Sequence, residues 1–497
     1  MTPKTTLEKI TDFISTPLKK KLEINQQTIE KSLLDLFENV AHHVPAYQQF
    51  LKNQNINPDD VKTLEDFQNL PIINKENYIT NYPFNELCYQ GKIENCDIIA
   101  SSSGSTGKPT FWPRFLTDEL QIATRFEQIF HDSFHGDKKR SLAIICFTLG
   151  TWVGGIFTAN CCRHLAMKGY PITVITPGNN KTEILRIVQE IGHNFDQVVL
   201  LGYPPFLKDV IDTGVNNQIN WQKYHVKLVM AGEVFSEEWR SLVGQRLGLN
   251  LENICYDFAS MYGTADAGVL ANETPLSICI RRFLANNPIA AKELFGESRL
   301  PTLVQYDPCD RYFEVINKTL LFSGNNGIPL IRYNILDSGG IITYQEMINF
   351  LEKYNFNPVI ELANKRGIHQ LPFVYIFGRS NFTVSYFGAN IYPENISVGL
   401  EQPIIREWVT GKFVLQVKED LDQNKFLSIV VELLPGIEPT QDRKTAITNS
   451  ILSQLLRLNS EFANYTPQEY QAPQIELKLT GDSEYFPVGV KHRYTRK

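Results

Sequence analysis

The sequence has no cysteine pair at C-x-x-C spacing and no Cys/His group at metal-ligand spacing, which argues against a zinc site. Its eight cysteines are Cys88, Cys96, Cys146, Cys161, Cys162, Cys255, Cys279 and Cys309, and most sit in apolar runs. They read as buried, reduced thiols in a cytoplasmic protein. There is no excess of positive charge: 48 Lys and Arg stand against 54 Asp and Glu, a net −6, which argues against nucleic acid as the main partner. The opening stretch, MTPKTTLEKITDF, lacks a continuous apolar core and does not read as a signal peptide. The long uncharged stretch from Ser141 to Cys162 carries Gly150, Gly154, Gly155, Asn160 and several threonines. It reads as a strand, a loop and a helix, so no membrane span is expected. What remains is ordinary for a soluble globular chain, with 43% apolar and 21% charged residues. At 497 residues it exceeds what one hydrophobic core usually spans, so two or more domains are expected.

The stretch Ser101–Thr110, SSSGSTGKPT, follows the short apolar run Ile98-Ile99-Ala100. Gly104 and Gly107 let the backbone turn so that several N–H groups share one space. Ser102, Ser103, Ser105 and Thr106 add hydroxyl donors, and Lys108 adds a positive charge. Such a loop can cradle a polyphosphate; a flexible Ser/Gly linker is the plainer reading. It is not a Walker A loop. Counting back from Gly107-Lys108 puts Ser102 at the first glycine position, and Pro109 stands where the metal-binding Ser/Thr belongs.

Residues 27–40 have apolar positions near helical spacing and open a helical front section, about 1–95. From 141 to 256 apolar runs alternate with helical patterns. The runs are Leu142–Phe147, Ile172–Ile175, Val198–Leu201, Val226–Met230 and Asn253–Tyr256; helices are expected at Lys181–Gly192 and Ser236–Leu247. This predicts an α/β fold with a mainly parallel sheet flanked by helices, and ligands beyond the carboxyl ends of its strands. Residues 281–302 read as a polar insertion, and Gln345–Tyr354 as an added helix within a further insertion, 343–370. Past Phe377 a compact α+β unit is expected, with strands near Phe413–Val417, Leu427–Leu434 and Gln474–Leu479 and a helix at Gln441–Leu458.

Several strand ends carry chemistry. Gly232 permits close approach of a flat ring, and Glu233 can accept a hydrogen bond or simply start the next helix. Tyr262-Gly263-Thr264-Ala265-Asp266 can be a turn, or can offer the Asp266 carboxylate to magnesium. Pro329-Leu330-Ile331-Arg332-Tyr333 leads to Asp337, either a turn former or a two-oxygen acceptor suited to a cis-diol. Gly378-Arg379-Ser380-Asn381 precedes TVSYFGANIYPENI, and the tail reads Pro487-Val488-Gly489-Val490-Lys491-His492-Arg493.

Taken together, the serine/glycine loop, the Tyr-Gly-x-x-Asp segment, the PLIRY…Asp segment, the Gly-Arg…Asn-Ile-x-Pro segment and the tail resemble the acyl-adenylate-forming superfamily. The "vPaY…lPi…K…yPf" pattern of the front section is similar to its phenylacetate–CoA ligase branch. The resemblance runs from the Pro71 region to the tail. It implies a large ATP- and acyl-binding domain at 1–380 and a small mobile domain at 381–497. It further implies that Gly232 and Glu233 border adenine, that Tyr262 with Gly263 packs on it, that Asp266 holds Mg2+ and that Asp337 binds both ribose hydroxyls. Arg379 would touch ribose or phosphate, Asn381 would be the hinge, Gly388 would line a thiol path, and Lys491 would bridge the acyl carboxylate and the α-phosphate. The chain departs from the family pattern at Ala265 (threonine there), at Asp266 (glutamate there), at Asn381, and at Val490, which puts Lys491 one register off.

The implied reaction is attack by a carboxylate on the α-phosphate of ATP, with pyrophosphate leaving into the loop around Lys108. A thiol, coenzyme A in the family, then takes the acyl group after the small domain rotates. A carrier-protein thiol or an amine is an alternative acceptor, and a non-catalytic nucleotide- or acyl-binding protein is the rival from another class. Phe147, Trp152, Tyr203 and Phe258 lie near strand ends and are expected to line a pocket for an aromatic or other apolar acid, if they are not core. A monomer or homodimer is expected.

Overall fold

Continuous apolar runs make the centre of the fold. Val198-Val199-Leu200-Leu201 has no polar alternation, as a strand covered on both faces requires, and all four are fully buried. The computed structural model describes residues 6–94, 96–101, 110–151, 153–297, 299–362, 366–379, 384–387, 389–419, 425–459, 462–463, 466–487 and 492–495, with backbone only at 205, 379, 385 and 390.

The strands, in chain order, are β1 (Ile98–Ser101), β2 (Phe111–Arg114), β3 (Ser141–Ile145), β4 (Ile172–Ile175), β5 (Gln197–Gly202), β6 (Lys227–Ala231), β7 (Phe258–Thr264), β8 (Gly268–Asn272) and β9 (Thr302–Gln305). They continue as β10 (Arg311–Ile316), β11 (Thr319–Gly324), β12 (Leu330–Ile342), β13 (Phe373–Arg379), β14 (Val384–Tyr386), β15 (Ala389–Ile391), β16 (Val409–Glu419), β17 (Lys425–Leu433) and β18 (Gln474–Lys478). One sheet of 11 strands runs β10-β11-β12-β13-β9-β8-β7-β6-β5-β3-β4. Its pairs from β4 to β7 are parallel, and those from β7 to β10 are antiparallel. Alternate residues of the parallel strands feed two cores. Ala143, Ile145, Val199, Leu201 and Val229 meet helices Leu116–Gln128 and Val153–Met167 on one face. Leu142, Ile144, Val198, Leu200 and Leu228 meet helices Lys181–Ile191, Pro204–Asn216 and Glu237–Arg246 on the other. These helices begin where local chemistry starts them: Asn180 accepts from the Glu183 N–H, and Ser236 from the Trp239 N–H.

The front helices Gln26–His43, Pro45–Asn53 and Leu64–Gln68 pack Leu33, Phe37, Tyr47 and Phe67 against Phe322, Leu330 and Tyr333 of the antiparallel half. A separate core, with Phe413, Leu415, Ile429 and Val431, forms around β16-β17-β18 and the helix Gln441–Leu458, whose Ile447, Ile451 and Leu455 recur every four residues.

Two expectations are corrected. Residues 253–256 are not a strand: Leu251–Tyr256 is a short 3-10 helix, started by the Asn250 side chain accepting from the Glu252 N–H, and β7 begins at Phe258. Nor is 281–302 a polar insertion. Helices Pro275–Ala285 and Pro288–Phe295 bury Leu284, Ala290, Ala291 and Phe295 within that range, and each has proline in its first turn. Thr274 and Ser277 cap the first of them reciprocally. The expected helix at Gln345–Tyr354 is Tyr344–Glu352. Among the described residues no helix is long and apolar enough to cross a membrane.

Candidate active site

β5, β6 and β7 end side by side, and each hands its chain to a residue singled out in the sequence. Beyond β5, the Tyr203 ring stands edge-on to Phe147, with centroids 5.0 Å apart. Burial, then the nearby Glu233 carboxylate, pushes the Tyr203 hydroxyl above its usual range. Beyond β6, Gly232 has φ +85°, and a Cβ there would lie 2.9 Å from Tyr203 Cε1. The flat ring that comes close to Gly232 is therefore that of Tyr203, and a side chain at 232 would displace it.

β7 closes a tight hairpin into β8. The Ala267 N–H donates to Thr264 Oγ1 over 3.2 Å. A Cβ on Gly263 would lie 2.5 Å from the Gly268 carbonyl, so the turn has no room for one. The hairpin is braced from below by Arg114 at the end of β2, whose guanidinium donates to the Ala265 carbonyl. Arg114 is buried, which works against its charge; Asp118 and Asp266 work the other way. Burial in turn raises Asp118 to about 6, against the pull of Arg114.

β12 brings the other half of the site. It is bent: Arg332 and Leu336 have φ +50° and +64°, unusual for side-chain-bearing residues, and its register with β11 and β13 shifts along its length. The bend carries Asp337 to Tyr262, although β8, β9 and β13 lie between β7 and β12 in the sheet. The Tyr262 hydroxyl donates to Asp337 Oδ2 at 2.6 Å, and the Tyr333 hydroxyl donates to Asp266 Oδ2 at 2.6 Å. Asp337 faces Arg379 across the β12–β13 ladder.

The tail comes in from the small domain. His492 meets the Phe413 carbonyl at 2.7 Å, the Leu415 N–H donates to the Tyr494 carbonyl at 2.7 Å, and Thr495 bridges to Leu415. From there the Tyr494 hydroxyl crosses to the large domain and donates to Glu233 Oε2 at 2.6 Å.

The structure thus gathers Phe147, Tyr203, Gly232, Glu233, Tyr262, Gly263, Asp266 and Asp337. It does not bring Phe258 to Phe147 and Tyr203. Phe258 pairs with Leu228 and is fully buried on the opposite face of the sheet, under the Arg240 guanidinium. Phe258→Ala is expected to cost about 3–5 kcal/mol of stability, as for a buried ring removed from a core. Urea unfolding checks this, and a loss below 1 kcal/mol would mean the ring is not core.

Ser102, Ser103, Gly104, Ser105, Thr106, Gly107, Lys108, Trp152, Asn381, Gly388 and Lys491 lie outside the described residues, as does the side chain of Arg379. The ends of the serine/glycine loop are described: Ser101 pairs with Phe111 where β1 meets β2, and the Ser101 N–H donates to the Thr151 carbonyl at 2.8 Å. Three residues at the site had no role in the sequence reading. Tyr333 lay inside the PLIRY segment and Tyr494 inside the tail, so only their hydroxyls were overlooked; Arg114 had no local signal.

No protein-family model matches the chain. It is 23% identical to a phenylacetate–coenzyme A ligase of Aromatoleum evansii over 428 residues, 84% of each protein. It is 22% identical to the ligase of the same name from Thermus thermophilus over 374 residues, 75% of this chain and 74% of the relative. The chain is thus similar in sequence to phenylacetate–CoA ligases, the branch of the acyl-adenylate-forming superfamily that its motifs resemble. Solved structures agree in fold. A 2-hydroxyisobutyryl-CoA ligase in the postadenylation state superposes with a TM-score of 0.67 at 14% identity, covering 98% of this chain and 91% of that one. An acyl acid amido synthetase in complex with 2,4-DB gives 0.55 at 13% identity, covering 97% and 90%. The large domain supplies the strand-end cluster, and the small domain reaches it through Tyr494.

Proposed function

We propose that the chain is an AMP-forming acid–CoA ligase: it activates a carboxylic acid with ATP as acyl-AMP, releases pyrophosphate, and passes the acyl group to the thiol of coenzyme A. One observation carries this reading. Two motifs distant in sequence interlock at the carboxyl ends of the strands, Tyr262 on Asp337 and Tyr333 on Asp266. The names of the curated relatives support coenzyme A as acceptor and an aromatic acid as substrate.

In this reading Asp337 accepts the two ribose hydroxyls, while Tyr262 orients its carboxylate from below. Gly232, Glu233 and Tyr262 border the adenine, and Arg379 reaches ribose or phosphate. The Ser102–Lys108 loop, tied at its base to Thr151, receives the leaving pyrophosphate. Phe147 and Tyr203, with Trp152, offer an apolar wall to the acid. Asp266 suits Mg2+: it is a hard oxygen donor, and its Oδ2 is oriented by the Tyr333 hydroxyl at 2.6 Å. Such a single carboxylate leaves the remaining positions to phosphate and water, as Mg2+ prefers. When bound, Mg2+ neutralises charge between the two anions that must meet. Lys491 adds the second cation, and the segment around Asn381 is the hinge on which 381–497 turns; Gly388 then lines the thiol path.

The test is ATP–pyrophosphate exchange with a panel of aromatic and aliphatic acids, followed by chromatography for the CoA thioester. Acid-dependent exchange with thioester formation is expected. Exchange without a thioester would redirect the acyl group to a carrier protein or an amine, and no exchange with any acid would sink the ligase reading. Within it, Lys108→Ala is expected to weaken ATP use about 10- to 100-fold, as when a charge-assisted contact to a phosphate goes. Binding of a preformed acyl-adenylate analogue should stay nearly intact; equal losses of both affinities in calorimetry would contradict the assignment.

A further inference from the structure

The tail is bound at both ends of its reach. On one side it lies along β16 through His492, Tyr494 and Thr495, and the Tyr494 ring packs 4.9 Å from Phe413. On the other side the same tyrosine puts its hydroxyl on Glu233, two residues past the end of β6 and next to Gly232. Other contacts join the two domains away from the tail. Ser236 donates to Glu401, Arg246 pairs with Glu407 at 3.0 Å, and Arg299 lies 3.5 Å over the Tyr392 ring. Those contacts hold the flank of the small domain, whereas the Tyr494 contact reaches the strand ends where the nucleotide motifs gather.

Covalent geometry ties this contact to the tail lysine. Lys491 lies three positions before Tyr494 in the sequence, and three residues of chain span at most about 11 Å. Tyr494 thus carries a contact to the strand ends within a few residues of the tail lysine in the sequence.

We propose that Tyr494 is a positioning residue for adenylate formation: its hydrogen bond to Glu233 latches the tail to the nucleotide-facing strand ends and thereby sets where the tail lysine acts. The proposal rests on the ligase reading for its kinetic part. Burial, and then the Glu233 charge, hold the tyrosine hydroxyl well above its usual range, so it stays a donor across the physiological range. The same bond must break when the small domain turns for thioester formation. A latch of this kind therefore favours the first half-reaction and opposes the second.

Tyr494→Phe removes the hydroxyl and keeps the ring against Phe413, so the tail stays folded on β16. Single-turnover formation of acyl-AMP is expected to slow roughly 10- to 100-fold, the effect of losing one hydrogen bond to a charged acceptor. Thioester formation from supplied acyl adenylate should be unchanged or faster. Tyr494→Phe combined with Glu233→Ala should be no slower than the slower single variant, because each substitution removes the same contact. Slowing of both half-reactions to the same degree, or of neither, would overturn the positioning role.

A second measurement does not depend on catalysis. Spin labels on the helices Lys181–Ile191 and Gln441–Leu458 report the distance between the domains in the ligand-free full chain. Tyr494→Phe should broaden that distribution towards longer distances, and an unchanged distribution would overturn the latch. If the parent makes no acyl-AMP with any acid while the distribution still broadens, the ligase reading fails and the latch survives as a domain contact.

Discussion

Lys491→Ala is expected to slow formation of the acyl adenylate by about three orders of magnitude, the scale seen when a preorganised partner of transition-state charge is removed. A carboxylate and a triphosphate repel each other, and a cation brought between them is worth most when the charge is being redistributed. Thioester formation from a supplied acyl adenylate should change far less, because the lysine has to leave before the thiol arrives. Lys497 is the control, since it has no glycine beside it. Lys497→Ala should leave both half-reactions within a factor of about two. Single-turnover kinetics of the two variants on each half-reaction decide the matter. Adenylate formation by Lys491→Ala at the parent rate would reduce the tail to a solvated end.

Asp337→Ala is expected to weaken ATP binding by about 100-fold or more. Each hydrogen bond from a ribose hydroxyl to a charged acceptor is worth roughly 1.5–3 kcal/mol, and two are lost. The substitution also strips Tyr262 of the acceptor it holds at 2.6 Å, so a loss of affinity alone would not separate ribose recognition from local disorder. Two comparisons do. Tyr262→Phe leaves the carboxylate in place and removes only the contact that orients it, so it should cost far less than Asp337→Ala, about tenfold. The parent should bind ATP far more tightly than 2′,3′-dideoxy-ATP, and Asp337→Ala should bind the two alike. Calorimetry with both nucleotides gives the answer; a variant that still prefers ATP would remove Asp337 from the ribose site.

The two classes of information separate along residue distance. The apolar runs of β3 to β6, the helix from Gln441 to Leu458 and the motif segments themselves are local, and their patterning could be read directly. Helix starts at Thr274-Pro275 and Asn287-Pro288 were equally local, yet the polar residues around them masked the buried Leu284, Ala290 and Phe295. The displaced strand near residue 256 has a similar origin. Leu251–Tyr256 is apolar enough for a strand, but the Asn250 cap turns it into a 3-10 helix. The face on which Phe258 falls was out of reach for another reason. In a strand that face depends on register parity, and a shift of one residue exchanges pocket for core.

By itself, then, the sequence determined most of the element types and the alternating core faces of the parallel strands, and it offered the residues proposed to meet phosphate, ribose and magnesium. The tertiary structure alone decided which of them touch. Tyr262 meets Asp337 because β12 bends at Arg332 and Leu336; Tyr333 meets Asp266 because the β7–β8 hairpin is braced by Arg114. Tyr494 meets Glu233 because the tail anneals to β16 and the small domain sits against the strand ends. Each of these contacts joins residues 67 or more positions apart. Local propensity carries no information on such pairs, because sheet order, strand bend and domain placement fix them, and those follow from packing of the whole chain.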